Sequence, residues 1–162
     1  MCNNFHIMVF IVILHIIVLA CLAAVAWIDY KTMMIPDQLS IAIAVCGVIA
    51  VFLIPDIGLA SRLLGIAAAA APIFIIAFFV EGAFGFGDVK LMAAAGLFLG
   101  WQNALVALFI GVVTGGVCGA FLLAAKKKTG KDHFAFGPAL CTGVGAAMFA
   151  GNEIIGWYFC YF

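Results

Sequence analysis

Glu81-Gly82-Ala83-Phe84-Gly85-Phe86-Gly87-Asp88-Val89-Lys90 sets a glycine-spaced turn ahead of an apolar helix and places a carboxylate at its head. Hydrophobic residues run almost unbroken from Leu63 to Val80 before it and from Leu91 to Gly100 after it, which puts Asp88 at or below a membrane surface. An ionisable group is costly there and points to function. Glycines at 82, 85 and 87 are expected to adopt backbone angles closed to other residues and to let another segment approach closely.

Composition sets the class. Of 162 residues, 69% are hydrophobic and 9% charged, far from the roughly 25% charged content of soluble domains. The chain reads as an all-α, polytopic membrane protein with one transmembrane domain over 1–162. Its formal net charge of zero argues for neither a nucleic-acid partner nor an acidic soluble one, and no nucleic acid is expected. Six cysteines, at positions 2, 21, 46, 118, 141 and 160, form no Cys-x-x-Cys pair, so they read as small apolar packing residues and not as a zinc ribbon or redox motif. Neither a metal nor a cofactor is expected.

Six spans follow from the apolar runs: Phe5 to Trp27, Leu39 to Ile54, Leu63 to Val80, Val89 to Gly100, Ala104 to Ala125 and Phe134 to Ala150. The first run is too long for a signal-peptide core and stays as a helix. His6 and His15 within it read as interhelical hydrogen-bonding partners. Pro72 is expected to kink the third span. The fourth is short, so either the glycine-rich stretch dips inward or the helix continues through Trp101-Gln102-Asn103. Gly111, Gly115 and Gly119 give the fifth a close-packing face. The aromatic tail Trp157 to Phe162 either prolongs the sixth helix or lies along the interface.

Loops alternate sides, so the segments around Lys31, Lys90 and Lys126 to Lys131 share one face and hold six of the seven basic residues. Arg62 lies opposite. The positive-inside rule makes the shared face cytoplasmic and both termini external. Asp29, at the exit of the first helix, then emerges on the same side as Asp88. Asp37, directly after Pro36, reads as a helix cap. Asp29 sits at a C-terminal helix dipole that disfavours negative charge, so local stability does not account for it. Two converging carboxylates that share one proton supply a base to activate water and an acid for a leaving amine, and they titrate as a unit.

From about Ala20 to Trp157 the chain resembles the type IV prepilin peptidases, membrane aspartic proteases of the GxGD kind. The resemblance rests on Asp29 followed by Met34-Ile35-Pro36-Asp37-Gln38-Leu39, on Gly85-Phe86-Gly87-Asp88-Val89-Lys90-Leu91 with Gly100-Trp101-Gln102, and on Phe136-Gly137-Pro138. It implies catalytic Asp29 and Asp88, with Gly85, Gly87, Lys90, Pro36, Gly137 and Pro138 as supporting motif residues. It also implies removal of the basic leader from prepilin or pseudopilin precursors at the cytoplasmic edge of the bacterial inner membrane. Glu81 and Asp37 are possible contacts for the basic leader; Glu81 stands one residue further from the glycine motif than the family pattern. The paired-cysteine region of longer, methylating relatives has no counterpart in these residues, so a peptidase-only form is expected.

Two other classes fit paired membrane acids. One is a small transporter subunit that binds a cation or relays protons, although the surroundings of Asp29 and Asp88 lack the internal symmetry common in transporters. The other is a membrane assembly subunit whose acids bind partners. The basic cluster at 126–131 reads as a topology signal, with attraction of anionic lipid headgroups as a minor alternative role.

Overall fold

The computed structural model describes residues 2–79, 84–124 and 135–161. Glu81, Gly82 and the basic loop at 126–131 lie outside the described residues. Six helices follow one another: α1 (Cys2–Thr32), α2 (Asp37–Leu53), α3 (Leu59–Phe79), α4 (Phe86–Leu99), α5 (Trp101–Ala124) and α6 (Gly137–Tyr161). There is no strand among the described residues. α1, α3, α5 and α6 are each long and apolar enough to cross a membrane, whereas α2 has 17 residues and α4 only 14. At 1.5 Å per residue, α2 and α4 reach about 25 and 21 Å, short of a hydrocarbon core of ~30 Å. The chain is a multi-pass membrane protein.

Each boundary has a local cause. α1 stops where Met33 takes a left-handed φ of 53° and its N–H closes on the Asp29 carbonyl at 2.8 Å. Pro36 is extended, at φ −66° and ψ 126°, and forms the N-cap of α2 without a side-chain cap. The expected Asp37 cap is therefore corrected: Asp37 occupies the first helical position and turns to Lys90. α4 ends at Gly100, whose φ of 78° favours glycine. Trp101 to Asn103 begin α5, so α4 does not extend through them. At the other end of the chain, the tail through Tyr161 prolongs α6.

Buried positions recur every three or four residues along α1 and α3, as packing on one face requires. In α1 the stripe is Leu14, Val18, Leu22, Val25 and then Asp29. In α3 it is Arg62, Gly65, Ala69 and Ile73. In α4 Asp88 heads the run Leu91, Met92, Ala95 and Phe98, and Ala94, Gly96 and Leu99 are buried as well, so this helix is enclosed on most sides. The ionisable groups are thus continuations of buried runs, which is why all three side chains are enclosed. α3 and α4 touch backbone to backbone at Gly65 and Gly96.

Three packing expectations change. Gly111 and Gly115 do face α6, where added methyls would strike Leu140 and Phe136, but one at Gly119 would meet nothing within 4 Å. His15 bonds within its own helix, to the Ile11 carbonyl at 2.8 Å, and its ring meets Phe98 of α4 edge-on at 5.3 Å. Among the cysteines, Cys46 and Cys141 are buried, while Cys118 and Cys160 are exposed.

Arg62, placed by sequence on the face opposite the other basic residues, is fully enclosed. Its guanidinium donates to the carbonyls of Ile57 (3.2 Å), Leu97 (3.1 Å), Phe98 (2.7 Å), Ala50 (3.1 Å) and Ile54 (3.1 Å). Four of these oxygens, all but that of Ile57, gather at the C-terminal ends of α2 and α4, where helix dipoles favour a cation. One side chain therefore closes both short helices.

Candidate active site

At the opposite end, α1 finishes beside the starts of α2, α4 and α6. Asp29 and Asp88 are both buried there, 5% and 6% exposed. Each is held by one main-chain donor. Gly137 N–H donates to Asp29 Oδ2 at 3.0 Å, and Gly85 N–H donates to Asp88 Oδ2 at 3.0 Å.

The two anchors differ in kind. Asp88 stands at the third position of α4 and reaches back to its own N-cap, half of a capping box whose other half glycine has no side chain to supply. Asp29 instead accepts the first N–H of another helix, α6. The unfavourable dipole at the end of α1 is thereby offset by the favourable one at the start of α6. Pro138 follows Gly137 with no N–H to satisfy, as suits a first turn.

Glycines make these approaches possible by their size. A methyl on Gly137 would lie 2.8 Å from Asp29 Cγ. One on Gly87 would lie 2.9 Å from Ile35 Cβ, so the Ile35-Pro36 segment rests on the head of α4. Gly85, by contrast, has φ −82°, and an added methyl would make only a 3.6 Å contact with Asp88 Oδ2. The expectation of special backbone angles at 85 and 87 is therefore corrected; close approach at 87 is what matters. Phe84 and Phe136 meet edge to face at 4.6 Å and join the glycine turn to the start of α6.

The three sequence blocks accordingly converge. Asp88 lies within electrostatic reach of Asp29, and Cys141 of α6 lies within reach of both. Asp88 Oδ1 is buried without a hydrogen-bond partner. A desolvated carboxylate with one oxygen uncommitted can take up a proton or accept a hydrogen bond from a small polar molecule. Asp37 and Lys90 form an ion pair at 2.8 Å with their side chains 61% and 56% exposed, outside the buried pair. Sequence reasoning missed Cys141 at this site, although it sits one helical turn beyond Gly137 on the buried stripe of α6.

Two results are expected from this geometry. Gly137→Ala should cost about 1–3 kcal/mol through overpacking and reduce activity at least about tenfold by displacing Asp29, whereas Gly85→Ala should stay within about 1 kcal/mol; thermal melts and turnover on the same preparations would check both. Asp37→Asn should cost no more than ~1 kcal/mol, as for other exposed pairs, and should leave activity within a few fold. An equal loss at Asp37 and Asp29 would argue that Asp37 belongs to the reacting pair.

A family model described as the Type IV leader peptidase family matches residues 16–120, a span that includes Asp29, Gly87 and Asp88. The chain belongs to this family. A Legionella pneumophila protein named prepilin leader peptidase/N-methyltransferase is 34% identical over 147 residues, covering 86% of this chain and 50% of that protein. Proteins of the same name from Xanthomonas campestris pv. campestris and Bacillus subtilis (strain 168) are 30% and 29% identical, covering 88% of this chain in each case and 52% and 58% of the relative. The chain thus spans about half the length of the curated relatives it matches. No solved structure matches it. Membership in the leader peptidase family gives the buried carboxylates a chemical context, and Gly137 lies beyond the matched span.

Proposed function

We propose that this chain is a membrane-embedded aspartic endopeptidase that removes the basic leader from type IV prepilin-like precursors at the cytoplasmic face of the bacterial inner membrane. The observation that carries this reading is the pair of buried carboxylates at one end of the bundle, each fixed by a single N–H, with Asp88 Oδ1 left without a partner. Water between the two gives a proton to the ionised aspartate as its oxygen attacks the scissile carbonyl. The protonated partner then delivers a proton to the departing amine as the C–N bond breaks. Either carboxylate fits either role. Lys31 and Lys90, at the same end, support a cytoplasmic setting by the positive-inside rule.

The substrate class comes from the relatives' names and fits the architecture, since a precursor's apolar helix can lie in lipid beside these helices while its leader reaches the carboxylates from water. The test is cleavage in membranes that contain the wild-type chain and a precursor with a basic leader before an apolar helix, read by mass spectrometry. One cut between leader and helix is expected. No cut, in a precursor that a related peptidase processes in parallel, would overturn the proposal.

A further inference from the structure

A groove of about 390 Å³ runs down the outside of the bundle between α2 and α4, with Ile66 of α3 at its side. On α2 it is lined by Asp37, Ser40 and Ile41, and on α4 by Lys90, Ala93 and Leu97. Residues 90, 93 and 97 follow one helical stripe, set about 200° around α4 from the stripe that starts at Asp88. The groove therefore belongs to a different face of α4 from the candidate active site.

Its chemistry is ordered along its length. At the mouth stand an exposed acid and an exposed base, paired at 2.8 Å. About one helical turn further in, Ser40 is only 5% exposed, and its hydroxyl has no hydrogen-bond partner. A buried hydroxyl left unpaired is costly, and an acceptor from a ligand would relieve it. Beyond it the walls are apolar. A single hydrocarbon chain fits.

We propose that this groove binds one acyl chain of a phospholipid with a primary-amine headgroup. The lipid phosphate sits on Lys90 Nζ, its ammonium donates hydrogen bonds to the Asp37 carboxylate, and the Ser40 hydroxyl donates to an ester carbonyl. Charge complementarity selects this class. An anionic lipid without an amine leaves Asp37 facing negative charge, and a quaternary ammonium has no N–H to donate. The assignment depends on the chain lying in a membrane and is independent of the peptidase reading.

The full chain, purified in mild detergent from membranes with mixed ethanolamine and glycerol headgroups, tests it by mass spectrometry of the retained lipid. Ethanolamine lipid should be enriched at least about fivefold over its share of the membrane. Ala93→Phe, which fills the groove, and the double variant Asp37→Asn with Lys90→Gln should return it to that share. Should Ala93→Phe fail to fold, the double variant carries the test, because both side chains are exposed. In nanodiscs, replacing ethanolamine by choline headgroups should lower the melting temperature of the wild type and leave the double variant unmoved. Retention in bulk proportions, enrichment of a lipid without an amine, or stoichiometric displacement of the lipid by a precursor helix would each overturn the proposal.

Discussion

Asp88→Asn and Asp29→Asn should each abolish leader cleavage, with a loss of at least ~10²–10⁴-fold, the range general acid–base catalysis supplies. The chain should remain inserted and folded. The reason lies in the anchors: an asparagine side-chain oxygen accepts a hydrogen bond as a carboxylate oxygen does, so Gly85 N–H and Gly137 N–H keep their partners. What asparagine cannot do is exchange a proton with water or with the departing amine. Turnover of a precursor, measured beside the melting temperature of each variant, separates chemistry from folding. Near-normal cleavage by either variant would remove that residue from the mechanism, and cleavage lost only in step with melting would make it structural.

Arg62→Met should produce the largest loss of stability of any single change, about 3–5 kcal/mol, comparable to removing one partner of a buried charged network. The five carbonyls that its guanidinium engages include the last turns of two helices, and methionine fills the space without a donor. For a chain of this size the melting temperature should fall by roughly 6–20 °C. Arg62→Lys should recover only part of this, since an ammonium has three donors and lacks the planar fork. The site lies at the other end of the bundle, so whatever protein stays folded should turn over precursor at the wild-type rate. An unchanged melt for Arg62→Met would show that the carbonyls are satisfied without it.

The helices are legible in the sequence because apolar runs broken by Pro36, Gly58, Gly100 and charged loops leave few other readings. Asp29 and Asp88 can be singled out because a carboxylate at the edge of an apolar run needs a reason. Their anchors are harder to read. Gly85 lies three residues from Asp88 and is local, whereas the bond from Gly137 to Asp29 spans 108 residues and leaves no periodic trace. Arg62 shows the same limit more strongly. Its partners lie up to 36 residues away, and by charge alone it is indistinguishable from a topology signal at a loop. The Asp37–Lys90 pair, 53 residues apart, likewise turns an expected cap into a cross-helix contact.

α4 is gripped at both ends, by its own aspartate reaching back at the head and by the guanidinium clasp at the tail, with Leu91, Met92 and Ala95 fully enclosed between them. With α4 pinned at both ends, Asp88 keeps its bearing unless one of the two clasps opens, and Asp29 is tied through the Gly137 bond to α6.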